Sequence, residues 1–498
     1  MQTLRRAVGN STVLMASQAV TWIASFGLSL ALGRYLDVAD FGRLYLAMSF
    51  AAIFGVLAGF GLDRQFVRAV AREPHLAGAY LVNSLAIKVV VGAATYLLIL
   101  ALTCLLGYTP EVALTIALFN VVLLLSGPAA LLGAVYQAAE RLFYVSVGDV
   151  LNKIIVSAGA ILLLVRGYGP TPVAAVFVAG GAVSLAWNLL FLHKVLPADW
   201  RSAATPAAVL RMLDLRTMRM LAAGGVPFLL YAALGSVYFR VDVVLLSKLT
   251  DTAVVGWYGA AYRLFETLVF LPNIVAATIM LPILARLSTQ SRDDLRLALG
   301  KGLDVMTMLG LPICTGLFVL AEPIIRLIFP DPEFSNAVPA LQWLAVALFL
   351  LYVNTVLGTL LISLDLEKKI VVVSGLALVF NLAANWLLIP HFRHVAAAAT
   401  TTATEVLLLV YFLAAVPRDL LSRGSLAVLL KAGGAAGAMV VALWGLRGQS
   451  VLLLVPVGGL VYCLSALPLR LVPAKDLRLF KEAIATRRAH REAAPAGD

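Results

Sequence analysis

Fourteen mostly apolar stretches run along the chain, separated by short polar segments. They cover residues 11–32, 43–62, 79–106, 112–136, 143–165, 172–192, 220–247, 253–284, 302–328, 337–363, 370–389, 395–416, 425–446 and 449–470. A membrane-crossing helix needs about 20 such residues. The pattern therefore predicts an all-α polytopic membrane protein of about 14 transmembrane helices. The longest polar segments are 193–219 and 471–498. In the first, Thr205-Pro206 reads as a helix cap followed by proline in the first turn. Val209, Leu210, Leu213 and Met218 then alternate with Arg211, Arg216 and Arg219, predicting an amphipathic helix on the inner leaflet. In the tail, Leu477, Phe480 and Ile484 lie among Lys481, Arg487 and Arg488, which suits either a similar helix or a solvated basic end.

The positive charges orient these stretches. With the N-terminus inside, 27 Lys and Arg fall on the inner side and 7 on the outer. Lys88, Lys153, Arg240 and Arg263 are left within spans. Basic residues concentrate on the cytoplasmic side of membrane proteins, so both termini are expected in the cytoplasm. Composition agrees: 62% hydrophobic and 13% charged, against about 25% charged in soluble domains. The net charge of +12 is then an excess in inner segments, not a nucleic-acid surface. Arg5 and Arg6 before an apolar stretch resemble a signal sequence, but the many spans that follow predict a retained helix. Cys104, Cys314 and Cys463 have no metal or disulfide spacing.

One hairpin carries unusual chemistry. The seventh and eighth stretches contain Arg240, Asp242, Arg263 and Glu266. Charge at membrane depth is costly and faces a partner or a water-filled cavity. At 1.5 Å per residue, Arg240 lies about 10 Å and Arg263 about 15 Å from the outer surface. Tyr262 and Glu266 are spaced i,i+4, and Asn273 follows Glu266 by seven, so these share a stripe. Two readings stay open. In one, Arg240–Glu266 or Asp242–Arg263 are structural ion pairs. In the other, the arginines wall a cavity for an anion, since the guanidinium fork suits phosphate oxygens. Arg240, Arg263, Tyr262, Lys88 and Asn273 are the candidate substrate-binding residues. Asp242, Glu266, Asp149 and Lys153 are the candidate coupling or gating residues.

Asp149 and Lys153 are spaced i,i+4, as in a self-neutralising pair. Lys88 has no evident local partner and either snorkels or faces a cavity. Glu405 follows a threonine-rich run of the kind that marks close helix packing. Asp304 and Glu322 are expected as interfacial charges. Pro128, Pro227, Pro272, Pro282 and Pro312 each interrupt an apolar helix. His391 and His394 are expected at an interface, not on a metal. No catalytic constellation stands out, and no GxxxxGK[ST] sequence is present, so neither an enzyme nor a cofactor is expected.

Leu32–Phe50 and Leu246–Leu264 align at a constant offset. The match pairs Leu32 with Leu246, Asp37 with Asp251, Ala39 with Ala253, Gly42 with Gly256 and Ala47 with Ala261, with Arg34 opposite Lys248. Six helices separate the copies, so both have one orientation, a design in which the site lies between two halves.

The segment LGRYLDVADFGRLYLAMSFAAIFGVLAGFGLDRQFVRAVAR (Leu32–Arg72) resembles polysaccharide-repeat-unit flippases of the multidrug/oligosaccharidyl-lipid/polysaccharide exporter superfamily. So do FRVDVVLLSKLTDTAVVGWYGAAYRLFETLVFLP (Phe239–Pro272), LPILARL (Leu281–Leu287) and the stretch Gly316–Ala345. Pro330-Asp331 departs from the pattern, where a glycine is expected. The resemblance implies two pseudo-symmetric six-helix lobes about a central cavity: 1–195, then a cytoplasmic linker 196–219, then 220–417. Two further helices occupy 418–471, with a basic tail at 472–498. It implies a carrier of undecaprenyl-pyrophosphate-linked oligosaccharide, passed from the inner to the outer leaflet of a bacterial cytoplasmic membrane. The partners implied are that lipid-linked oligosaccharide, membrane lipids, H+ or Na+ as coupling ion, and polysaccharide polymerase or export proteins. The alternatives are a peptidoglycan-precursor flippase, a drug/cation antiporter, a membrane-embedded glycan polymerase or ligase, and a non-transporting scaffold. No outer loop here has the length a polymerase or ligase needs.

Overall fold

The computed structural model describes residues 2–195 and 211–471, with side chains from residue 17 onward apart from residues 231, 234 and 423. The amphipathic stretch predicted at 205–219 falls partly, and the basic tail at 472–498 wholly, outside the described residues. Among the described residues all regular structure is helical. The helices are α1 (Gln2–Tyr35), α2 (Val38–Gly59), α3 (Leu62–Arg72), α4 (Ala77–Leu105), α5 (Pro110–Asn120), α6 (Val122–Ala138), α7 (Leu142–Val165) and α8 (Pro170–Leu192). They continue as α9 (Leu215–Leu249), α10 (Thr252–Val275), α11 (Leu281–Gln290), α12 (Arg292–Val319) and α13 (Ala321–Ile328). The last are α14 (Val338–Ser363), α15 (Glu367–Ala415), α16 (Arg423–Gly445) and α17 (Val451–Ala466).

Every predicted stretch overlies helix. Among the described residues ten helices are long and apolar enough to cross a membrane, or eleven when the two arms of α9 count as one. Those arms, Leu215–Leu230 and Gly235–Leu249, meet at 62°. The bend falls beyond Pro227, not at it. α15 merges two predicted spans across Arg393, which adopts φ 52° and ψ −133°. Pro282 lies inside a helix, as expected: the helical run Thr252–Gln290 is continuous, and the five-residue π turn at Ala276–Met280 directly precedes α11 and its proline, a loosened register that accommodates the missing N–H.

Local chemistry sets the helix ends. Asp37 accepts from the amide of Asp40 at 2.7 Å and caps α2. Asp251 does the same at the start of α10, accepting from Val254 N at 2.9 Å. These two aspartates are partners in the sequence repeat, so the repeat recurs as a shared cap. Asp214 caps α9 by accepting from Thr217 N at 2.8 Å and Arg216 N at 3.2 Å. Inside spans, hydroxyls bond back to their own helix, as Ser25 does to Thr21 O at 2.6 Å and Thr103 to Ile99 O at 2.7 Å. Each such bond satisfies a hydroxyl that an apolar helix face would otherwise leave unpaired, as a bilayer requires. Leu105, Val441 and Leu452 on such faces are more than two-thirds exposed.

The chain packs as two compact units. The first comprises Met1–Ala260, Ile328–Ala337 and Leu378–Ala397. In it α7 lies against α1 and α8, α2 against α5 and α9, and α6 against α3, α4 and α8. Leu62, Phe66, Tyr80, Leu131, Leu132 and Leu221 form a buried core there. The second unit comprises Ala261–Leu327, Val338–Ala377 and Ala398–Asp498. In it α12 packs on α14 and α16, and α16 on α17. Small residues Ala432, Ala435 and Ala436 let α16 approach closely. The Tyr462 hydroxyl on α17 donates to Met308 O on α12 at 3.2 Å, tying those two helices together.

Candidate functional site

The charged hairpin divides between the two units: Arg240 and Asp242 belong to the first, Tyr262, Arg263, Glu266 and Asn273 to the second. Arg240 Nη1 donates to the hydroxyl of Tyr45 on α2 at 3.0 Å. Its guanidinium carbon lies 5.4 Å from the centroid of the same ring. Tyr45 thus fixes the guanidinium both by hydrogen bond and by cation–π attraction. Asp242 points elsewhere, as its two-residue offset requires. It is 2% exposed and accepts from the Tyr258 hydroxyl and from Val243 N. Neither tyrosine partner was anticipated from the sequence.

In the second unit, Arg263 and Glu266 are half-buried and Asn273 is exposed. Tyr262 is 1% exposed, its ring 5.2 Å from that of Phe265. It is core in this conformation and does not line an open surface. At its C-terminal end α10 runs into the π turn, where the i→i+5 pattern loosens the helix.

Lys88 has a partner that sequence spacing concealed. Its Nζ lies 2.6 Å from Asp63 Oδ1, on α3. The lysine side chain is fully buried and the aspartate about a third exposed. Lys88 therefore does not snorkel; Asp63 comes to it because the chain reverses at Phe60 and Gly61, both with positive φ. Asp63 and Asp149 line one hollow of about 460 Å³ in the first unit, with Gln137, Asn188 and a row of small α6 residues. Lys153, half-buried one turn beyond Asp149, is not among its lining residues.

Two further buried polar groups lie outside the hairpin. Glu405 is 3% exposed and accepts from Asn354 Nδ2 at 2.8 Å. Its threonine-rich neighbourhood packs as expected, Thr402 donating to Trp343 O at 2.9 Å. His394, expected at an interface, is buried: its Nε2 is 2.7 Å from Asn336 O and its ring 5.2 Å from Trp257. Among the described residues no cluster of three His, Cys, Asp or Glu is placed to hold a metal ion. Glu322 does lie in an exposed ion pair, 2.6 Å from Arg326.

Comparison with known proteins gives this arrangement a family. Residues 7–288 match the model of the polysaccharide biosynthesis protein family, and residues 227–387 match the MatE model. A probable flippase AglR from Haloferax volcanii is 26% identical over 208 residues, 42% of this chain and 44% of that protein. A probable lipid II flippase MurJ from Vibrio cholerae is 29% identical over 159 residues, 31% of this chain and 28% of that protein. The chain thus spans less than half the length of these relatives. Among solved structures, the lipid II flippase MurJ in an inward closed conformation superposes with a TM-score of 0.75 at 14% identity, covering 94% of this chain and 99% of that one. An inward-facing multidrug resistance MATE family transporter of the MOP superfamily gives 0.60 at 14% identity, over 79% of this chain and 94% of that one. With more than half its length matched by one family model, and with a fold shared by these MOP superfamily structures, the chain belongs to the polysaccharide biosynthesis protein family.

Proposed function

We propose that this protein is a flippase that carries undecaprenyl-pyrophosphate-linked oligosaccharide repeat units from the inner to the outer leaflet of the bacterial cytoplasmic membrane. The observation that carries the reading is Arg240, an intramembrane guanidinium oriented by Tyr45 on a chain of this family. A pyrophosphate entering the bilayer core needs such a charge to replace its lost hydration. Arg263, half-buried on α10, is the second anion-binding residue, and Asn273 supports it. Residues 1–195 and 220–417 act as the two lobes, alternating access about the cargo, with both termini cytoplasmic. Asp242 and Glu266 serve the coupling ion, H+ or Na+. Polysaccharide polymerase or export proteins receive the product. Transport, not bond-making, is the activity.

A second reading has support from the likeness to the lipid II flippase structure: a peptidoglycan-precursor cargo. Both readings are tested in proteoliposomes loaded with fluorescent polyprenyl-pyrophosphate oligosaccharide or peptidoglycan precursor. Wild-type protein should expose the oligosaccharide to an external quencher. Arg240→Ala and Arg263→Ala should insert normally and lose this exposure. Normal flipping by both variants overturns the anion-cavity reading. Flipping of the precursor alone selects the second.

A further inference from the structure

The hollow in the first unit is built where α6 presents Ala129, Ala130, Gly133 and Ala134 to α3, α7 and α8. Small residues there leave space that larger ones would fill, and nothing in this row supplies charge. The charge comes from the opposite walls. Asp63 is matched by Lys88 at 2.6 Å, and the lysine side chain is fully buried, so this pair contributes no net charge. Asp149 supplies one carboxylate, and Lys153 does not line the hollow. The polar lining groups besides these are Gln137, Asn188 and two serines.

Asn188 is an independent sign of a ligand. It is 5% exposed and lines the hollow. Its Nδ2 is bound to Ser184 O at 3.0 Å, while its Oδ1 has no hydrogen-bond donor among the described residues. Its backbone is also fixed, since the Tyr136 hydroxyl donates to Asn188 O at 2.7 Å. A buried acceptor left empty is costly, and a donor from a ligand removes that cost.

We infer that this hollow is a binding site for a primary ammonium group attached to a small apolar body. The group brings one positive charge for Asp149 and three N–H donors for acceptors such as Asn188 Oδ1. An anion meets a carboxylate here with no uncompensated cation lining the wall. A volume of about 460 Å³ is in the range of small-molecule sites and far larger than a bare ion. Two sources carry the same chemistry: the ethanolamine headgroup of a phospholipid, and a free amphiphilic amine. The site is separate from the Arg240 region and does not depend on the flippase reading.

The test uses the full-length protein in phosphatidylcholine nanodiscs, with n-octylammonium as the probe and thermal unfolding as the readout. Octylammonium should raise the Tm saturably. Octyltrimethylammonium, which has the charge but no N–H donor, should bind at least tenfold more weakly. Asp149→Asn, and separately Asn188→Leu, should weaken octylammonium at least tenfold. Gly133→Met should fill the hollow and abolish the shift; a Cβ at Gly133 meets only Val145 Cγ1, at 3.9 Å, so this variant is expected to fold. Repeating the titration in phosphatidylethanolamine nanodiscs distinguishes the sources. A weaker apparent affinity there assigns the headgroup as occupant, and an unchanged one assigns free amines. If Asp149→Asn and Gly133→Met, both folded, bind octylammonium like wild type, the inference is wrong. Equal binding of the quaternary ion also overturns it.

Discussion

Gly42 on α2 and Gly256 on α10 face each other so closely that neither position has room for a side chain. A Cβ on Gly42 would lie 2.8 Å from Gly256 N and closer still to Thr252 O. A Cβ on Gly256 would run into Val38 O. The contact is reciprocal: Gly42 meets Thr252 and Gly256 meets Val38, and Val38 and Thr252 are equivalent positions of the sequence repeat, as Gly42 and Gly256 are. Such exchange is the signature of a two-fold relation between like elements. The residues retained in the repeat are those it needs, an aspartate cap and a glycine one turn on. Gly42→Ala should therefore lower the Tm of the purified protein, by the equivalent of about 1–3 kcal/mol of overpacking. Gly437→Ala is the control, since a Cβ there has no neighbour within 4 Å. Equal Tm values for the two variants would dispose of the close-contact account.

The Lys88–Asp63 pair predicts an asymmetry. Asp63 is partly open to the hollow, whereas the Lys88 side chain is wholly buried. Removing one partner of a buried ion pair strands the other and costs about 3–5 kcal/mol. Asp63→Asn strands the buried ammonium and should approach that figure. Lys88→Met strands a carboxylate that water reaches, and should cost clearly less. The double variant should recover most of the loss seen in Asp63→Asn. Denaturation of the three proteins in one detergent measures this, and a larger loss for Lys88→Met contradicts it.

What could be read from the sequence follows from which forces are local. A bilayer demands a fixed length of apolar helix, so the spans are legible from composition alone. Caps are equally local, and Asp37 and Asp251 could be paired by spacing. The partners of the intramembrane charges are not local. Tyr45 reaches Arg240 across 195 residues, and no periodicity links them. Asp63 reaches Lys88 only because the backbone turns at Phe60 and Gly61, and a positive φ at a phenylalanine has no sequence mark. Tyr258 was within range, being 16 residues from Asp242. Its phenol carries no charge to mark it as the partner of a carboxylate. Asn188 is one polar residue in an apolar span, and its empty acceptor exists only once α8 is packed.

Glu405 gives a third prediction. A carboxyl that is 3% exposed depends on its donors, and Asn354 Nδ2 reaches both Glu405 Oε2 at 2.8 Å and Glu405 O at 2.9 Å. Hydrogen bonds to charged groups contribute about 1.5–3 kcal/mol. Asn354→Leu should cost at least that much, since it removes the donor and retains the volume. Adding Glu405→Gln should lessen the damage, because a neutral amide tolerates burial better than a carboxylate. If Asn354→Leu unfolds at the wild-type temperature, Asn354 does not support Glu405.

Acid should loosen the polar ends of the helices before their apolar middles. Asp214 is held below the usual carboxylate range, first by the Thr217 hydroxyl and then by the Thr217 and Arg216 amides it caps. Asp419 is held low chiefly by the Arg292 guanidinium, whose Nε is 2.6 Å away. A carboxylate with a depressed folded pKa adds stability that is complete above its unfolded value, 3.8 for these groups. That stability drains away as pH falls from there through the lower folded value. Between pH 5 and 8 these two groups should leave the Tm unchanged, and below about pH 4 it should fall. Asp214→Asn and Asp419→Asn should each start from a lower Tm at pH 7 and show a shallower acid decline than wild type. A melting series from pH 3 to 8 decides the matter, and parallel curves for the three proteins would remove both carboxylates from the account.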